Sequence, residues 1–172
     1  MKDTDRCRRI QLILSDVDGV LTNGGLLFDN EGLELKQFHI RDGLGIRLWQ
    51  RAGFKFGLIT GRTSQIVKRR AAELGIEFVR QGFEQKWPAA QEVMQSLGLS
   101  ADQVAFIGDD LPDLPVIRRV GLGVAVADAA PEVRAAAHFV TIAPGGQGAV
   151  RELIEKILKA QNRWGDMVEK YE

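Results

Sequence analysis

Short apolar runs rich in β-branched and aromatic residues alternate with longer stretches of helical periodicity, and this alternation constrains the fold more than any other feature of the chain. Residues 10–15, 54–60, 77–80, 104–107, 122–126 and 138–141 read as strands. Residues 43–51, 64–74, 85–97, 113–120, 131–137 and 147–161 read as helices. Strand, helix and strand in regular succession imply parallel strands joined by right-handed crossovers, with helices on both faces. The expected architecture is α/β, a doubly wound (Rossmann-like) parallel sheet forming a single domain over 10–161. A chain of 172 residues buries roughly 70% of its unfolded surface and needs no disulfide to hold a core, and its single cysteine, Cys7, has no partner for one. Residues 1–9, MKDTDRCRR, are charged and aperiodic and read as a flexible N-terminal tail, with 162–172 as a C-terminal tail.

One segment departs from the alternation. Residues 24–40, GGLLFDNEGLELKQFHI, place two apolar stretches around the turn sequence Asp29-Asn30-Glu31-Gly32, which reads as a β-hairpin inserted after the first strand. Leu26, Phe28, Leu33, Leu35 and Phe38 give it more apolar surface than a lone hairpin hides, so something must cover it. No separate cap domain is encoded. The 23 basic residues balance 23 acidic ones, which argues against a nucleic-acid partner but leaves room for a local basic pocket. No apolar run approaches the ~18 residues of a membrane span, so no membrane partner is expected and the protein reads as cytoplasmic.

In an open α/β sheet, ligands bind beyond the carboxyl ends of the strands. Those ends carry Asp16-Val17-Asp18-Gly19, Thr60-Gly61-Arg62 and Gly108-Asp109-Asp110 followed by Asp113, with Lys86 opening a helix. Converging carboxylates are costly to leave ionised together unless a cation sits among them. Oxygen ligands without histidine or cysteine point to Mg²⁺, which keeps waters and takes a phosphate oxygen. Asp16 and Asp109 are the expected direct ligands, and Thr60 and Lys86 the expected partners of the remaining phosphoryl oxygens. Asp16 is the expected nucleophile and Asp18, two residues on, the general acid/base. Taken singly, Asp113 also fits a helix cap, Asp110 a loop, Arg47 and Arg70 a solvated helix face, and His39 a hairpin side chain. Trp49 and Trp87 read as packing anchors.

The set Asp16-Val17-Asp18-Gly19, Thr60, Lys86 and Gly108-Asp109-Asp110 with Asp113 resembles the four motifs of the haloacid dehalogenase-like phosphatases. Arg41-Asp42-Gly43, ITGR at 59–62, Gln81-Gly82, GDDL at 108–111, VAVAD at 124–128 and GGQGAVRE at 145–152 extend the match. Together they are similar to the capless subgroup of 3-deoxy-D-manno-octulosonate 8-phosphate phosphatases, over nearly the whole chain from Ile10. The resemblance implies that Asp16 and Asp109 bind Mg²⁺ by side chain and Asp18 by its backbone carbonyl, with Asp110 and Asp113 farther from the ion. It implies substrate contacts from Asp18, His39, Ile40, Arg41, Asp42, Gly43, Arg47, Arg62, Arg70 and Lys86, in which arginine forks suit a sugar carboxylate. It implies a homotetramer whose hairpins meet centrally and whose tails help close neighbouring sites, and a place in lipopolysaccharide inner-core synthesis. Gln147 stands where some members have arginine, so no tail contact to the carboxylate is carried over. Relatives acting on a nine-carbon 9-phosphate have an acidic residue at the position of Arg62, which favours the eight-carbon substrate. From other classes, a receiver module would hold its aspartyl phosphate rather than turn it over, a non-catalytic scaffold leaves the carboxylate set unexplained, and a phosphomutase needs a cover that excludes water.

Overall fold

The computed structural model describes residues 3–171, so Met1 and Lys2 of the expected N-terminal tail lie outside the described residues. Its strands are β1 (Leu12–Ser15), β2 (Leu27–Phe28), β3 (Glu34–Leu35), β4 (Lys55–Thr60), β5 (Phe78–Gln81), β6 (Val104–Gly108), β7 (Leu122–Ala125) and β8 (Phe139–Val140). Its helices are α1 (Asp3–Arg9), α2 (Ile40–Arg51), α3 (Gln65–Glu73), α4 (Lys86–Leu97), α5 (Leu114–Ile117), α6 (Pro131–Ala136), α7 (Ala149–Ala160) and α8 (Trp164–Val168). Six strands form one parallel sheet in the order β5-β4-β1-β6-β7-β8, as the alternation requires. The strands β1, β6 and β7 are buried throughout, which explains why LILS, VAFIG and LGVA are continuous apolar runs rather than alternating ones. Helices α1, α2 and α7 pack together as one layer and α4, α5 and α6 as another.

The topology fixes where ligands can bind. From β1 the chain runs outward through β4 to β5, then returns to β6 on the other side of β1, so the strand order reverses at β1. Ser15 is level with Leu58 of β4 and Ile107 of β6. The residues that follow these three strands therefore emerge side by side at the switch-point crevice.

The expectation for the N-terminus needs correction. Residues 3–9 are helix α1, with Cys7 fully buried against the core rather than loose in solvent. Arg6 Nη1 donates to the Gly121 carbonyl at 2.7 Å, and Gln161 Nε2 donates to the carbonyls of Cys7 and Ile10 at 2.9 and 2.8 Å. Asp5, Arg8 and Arg9 are exposed, on a helix too short to show periodicity in the sequence. At the other end α8 buries Met167, and the Trp164 ring lies under Arg151 and Lys159, at 5.1 and 5.5 Å. Cation–π contact holds the ring there, so the C-terminal tail packs on the domain over 164–168, while Glu172 lies outside the described residues. Trp49 is a packing anchor, stacked on Phe54 at 4.3 Å with its indole N–H on the Lys55 carbonyl.

The hairpin forms with its turn where the sequence places it. Asp29 Oδ1 accepts from the amides of Glu31 and Leu33, at 2.9 and 2.8 Å, and Gly32 takes φ +81°. Only Leu27 with Leu35 and Phe28 with Glu34 pair across it. Leu26, Leu27, Phe28, Leu33 and Leu35 remain 48–61% exposed. The helix after it starts at Ile40, ahead of the expected Gly43, because His39 is its N-cap and accepts from the Arg41 amide at 3.3 Å. His39 is thus a capping residue rather than a hairpin side chain. The glycine-rich segment holding Gln147 is an internal turn ahead of α7, not a terminal tail. No described helix is long and apolar enough to cross a membrane.

Candidate active site

The crevice at the reversal point holds a cavity of about 490 Å³ lined by Asp16, Asp18, Thr60, Arg62, Lys86, Asp109, Asp110 and Asp113, with Gly61, Glu84 and Pro112 completing it. One oxygen from each of Asp16, Asp109 and Asp113 lies within 4.8 Å of the others. The amide of Asp16 donates to Ile107 of β6 at 3.0 Å, continuing the ladder and fixing the residue at the strand end. Two glycines permit the approach of the other carboxylates. A Cβ on Gly19, at φ +95°, would lie 2.1 Å from Asp109 Oδ2, and one on Gly108 would lie 2.5 Å from Asp113 Cγ.

Lys86, 4% exposed, is the counter-charge. Its Nζ pairs with Asp16 Oδ1 at 2.8 Å and Asp113 Oδ1 at 2.6 Å. Asp113 is fully buried and both of its oxygens are occupied, Oδ2 accepting from the amides of Asp109 and Asp110 at 2.9 and 3.2 Å. It orients Lys86 and the loop after β6, and it also closes the 3₁₀ turn Leu111–Asp113. Asp110 caps that same turn, its Oδ1 accepting from the Leu111 amide at 2.8 Å. The cap reading of Asp113 and the loop reading of Asp110 are thus both met, and both residues also line the cavity. Thr60 is buried at the end of β4, and its Oγ1 accepts from the Arg62 amide at 3.3 Å.

The electrostatics call for a cation. Burial, then the charge of Asp113, pushes the Asp16 carboxyl up to about 6 against the pull of Lys86. Burial, then Asp16 and Asp113, pushes Asp109 up to about 8. Burial would lower Lys86, yet Asp113 and Asp16 together hold it above its ordinary range. Asp109 Oδ1 is buried with no hydrogen-bond partner. An unpartnered carboxylate oxygen among carboxylates, with no histidine or cysteine in the cluster, is a donor set suited to a hard divalent ion.

The hairpin adds residues that the sequence reading passed over. Lys36 Nζ pairs with Asp18 Oδ1 and, at 3.2 Å, with Glu34 Oε1, which also accepts from Arg62 Nη2 at 2.8 Å. Burial would raise the Glu34 carboxyl, yet Lys36 and then Arg62 hold it below its ordinary range. The signal for both was the alternation Glu34-Leu35-Lys36, which sends its polar members to one side of the strand and leucine to the other. Glu84, also missed, has no such pattern.

The remaining expected substrate contacts gather elsewhere. Ile40, Gly43, Arg47 and Arg70 line a second cavity of about 320 Å³ that shares no residue with the first. There Arg70 pairs with Glu73 at 2.9 Å and lies over Phe38, and Arg47 donates to the Glu73 carbonyl. Asp42 is 1% exposed and accepts from the amides of Gly148 and Arg151 at 3.3 and 2.8 Å, so within the chain it anchors the start of α7 rather than facing a ligand. Arg41 supplies its amide to the His39 cap.

Known proteins with this arrangement are readily found. Residues 76–153 match the family model of haloacid dehalogenase-like hydrolases. The 3-deoxy-D-manno-octulosonate 8-phosphate phosphatase KdsC of Yersinia pestis is 46% identical over 92% of this chain and 84% of its own, and that of Escherichia coli K12 is 43% identical over the same shares. The crystal structure of the phosphatase of the same name from Moraxella catarrhalis, in complex with magnesium, phosphate and KDO, superposes with a TM-score of 0.96 at 40% identity, covering 98% of this chain and 97% of that one. A cobalt-bound relative from Haemophilus influenzae gives 0.88 at 42% identity, covering 91% and 92%. The chain therefore belongs to the 3-deoxy-D-manno-octulosonate 8-phosphate phosphatase family of haloacid dehalogenase-like hydrolases.

Proposed function

We propose that this chain hydrolyses 3-deoxy-D-manno-octulosonate 8-phosphate to the free sugar acid and phosphate, in the cytoplasmic route to the lipopolysaccharide inner core, through an aspartyl phosphate on Asp16. The observation that carries the reading is the cluster of Asp16, Asp109 and Asp113 around Lys86 at the switch point, with an unpartnered oxygen on Asp109. Mg²⁺ suits that oxygen set, with Asp16 and Asp109 holding it by side chain and Asp18 by its backbone carbonyl. When bound, it offsets the repulsion among the carboxylates and the charge of the phosphoryl group.

The chain's own residues supply the rest. An Asp16 carboxylate oxygen attacks phosphorus, the bond from phosphorus to the sugar oxygen breaks, and Asp18 gives that oxygen its proton. Asp18, now a carboxylate, takes a proton from water. The resulting hydroxide attacks phosphorus, the bond to Asp16 breaks, and phosphate leaves with both aspartates restored. Lys86 and the Thr60 hydroxyl stabilise the phosphoryl oxygens, and Arg62 at the mouth suits the sugar carboxylate. Residues 39–43, Arg47 and Arg70 contact the sugar acid only if a second copy brings them to the site, because none of them lines the catalytic cavity of their own chain, and Ile40, Gly43, Arg47 and Arg70 line a separate one. A homotetramer built on the exposed leucines of the hairpin answers that need.

Phosphate release from a panel of sugar phosphates, including the eight- and nine-carbon keto acids, tests the assignment. Turnover of the octulosonate 8-phosphate that stops on chelation of Mg²⁺ is expected. A preference above ~100-fold, about 2.7 kcal/mol, for a hexose phosphate refutes the substrate, and a stable phosphoryl adduct without turnover refutes hydrolysis.

A further inference from the structure

Leu26, Leu27, Phe28, Leu33 and Leu35 of the hairpin are exposed, yet the side chain of its Lys36 is only 2% exposed. The ammonium turns back toward the domain, between Glu34 Oε1 and Oδ1 of Asp18, a residue that lines the catalytic cavity. An ammonium removed from water persists only where charged partners hold it in good geometry. Here one partner belongs to the hairpin and the other is the carboxylate at the second position of the DxD motif. The other oxygen of that carboxylate, Asp18 Oδ2, is buried without a partner. One oxygen of Asp18 is thus clamped and the other is left available.

We infer that Lys36 is a positioning residue for Asp18: by holding Oδ1 it fixes the carboxyl group so that Oδ2 is presented to the oxygen of the departing alcohol. Glu34 completes the clamp, since it meets both Lys36 and Arg62 and so links the orientation of the acid/base to the residue at the cavity mouth. The inference rests on the role given to Asp18 above. It differs from a simple tether, in which Lys36 would only fasten the hairpin to the domain, because a positioned acid matters only when the leaving oxygen needs a proton. A sugar alkoxide needs one, whereas p-nitrophenolate leaves readily without it.

The test is the single-turnover rate of alcohol release at saturating substrate, with Mg²⁺ present, for the octulosonate 8-phosphate and for p-nitrophenyl phosphate. Saturation removes any binding effect transmitted through Glu34 and Arg62 to the half-saturation concentration. Lys36→Met is expected to slow release of the sugar about 10- to 100-fold and of p-nitrophenol less than ~3-fold, and Asp18→Asn to show the same skew more strongly. Lys36→Arg, which keeps a cation there, is expected to recover most of the sugar rate. If Lys36→Met does not fold, Lys36→Gln, polar but uncharged and one bond too short to hold Asp18 as the ammonium does, must show the skew. Equal slowing of both substrates by the Lys36 variants, with the skew intact in Asp18→Asn, overturns the positioning role and leaves Asp18 as the acid. Loss of the skew in Asp18→Asn itself overturns the reading of Asp18 and the role of Lys36 with it.

Discussion

Stripping divalent ions from the protein should make its stability fall as pH rises from about 4 to 8. The Asp16 carboxyl stands at about 6 and that of Asp109 at about 8, both above their ordinary 3.8. In that interval the folded, metal-free chain keeps protons that the unfolded chain has released, and stability declines wherever the native state binds more protons. Below the interval both states are protonated, above it both are ionised, and the slope vanishes. Asp16 alone lies about two pH units above its ordinary value, about 3 kcal/mol at 1.36 kcal/mol per unit. For a chain of this length that corresponds to a fall in Tm of about 6–12 °C, with Asp109 deepening it. Mg²⁺ removes the repulsion, so the stability gained on adding it should grow with pH, and its binding should release protons. Urea unfolding near pH 5 and near pH 8, with a chelator or with excess Mg²⁺, reads both effects. The chain has only two histidines, His39 and His138, to confuse the interval, and Asp109→Asn should flatten the metal-free slope. Metal-free stability that is level or rises between these pH values would refute the claim that the carboxylate cluster is held together against its own charge.

Other changes test the remaining parts. Arg62→Ala should lower kcat/KM for the octulosonate 8-phosphate by roughly 10- to 100-fold, about 1.5–3 kcal/mol for a lost charged hydrogen bond, and an unchanged value would remove Arg62 from the site. Gly108→Ala should destabilise by about 1–3 kcal/mol in urea unfolding and impair turnover, since the added carbon meets the buried Asp113 carboxyl, whose position holds Lys86. Leu27→Glu with Leu35→Glu should yield a smaller species in sedimentation while leaving the domain folded; a wild-type protein that sediments as a monomer at micromolar concentration would refute assembly through the hairpin. If Arg47 serves a neighbouring copy, mixing inactive Asp16→Asn with Arg47→Ala subunits should restore activity to some of the sites, and no recovery on mixing would assign Arg47 to its own chain.

The sheet was legible because strands buried on both faces must be apolar throughout, as VAFIG and LGVA are, and because the helices between them leave parallel pairing as the workable connection. The site followed from the sheet: Asp16, Thr60 and Asp109 are far apart in the chain but follow three neighbouring strands. The helix over 3–9 was hidden because a two-turn segment with five charged residues shows no period, and what holds it, Gln161 reaching Cys7 and Ile10, is 154 and 151 residues away. Residues 39–43 are expected on the sugar acid, yet within one chain His39 caps α2 and Asp42 anchors the start of α7. Sequence proximity to the hairpin gave no means of telling a residue that faces its own site from one that faces a neighbour's.

The hairpin is where these two uncertainties meet. In the run from Leu33 to Lys36, Leu33 and Leu35 are exposed while Glu34 and the ammonium of Lys36 meet Arg62 and Asp18, the two-sided pattern of a strand with something to contact on each face. A slip of one residue would turn the leucines toward Asp18 and the charges outward, so the hairpin's register fixes both contacts at once. Its ladder holds only two residue pairs, which is little to specify that register alone. Burial of Leu33 and Leu35 against another copy would supply the missing constraint, and in doing so would hold Lys36 on Asp18. The hairpin would in this way make assembly a condition of an ordered acid/base: contacts between subunits would act on catalysis through the two faces of one short strand.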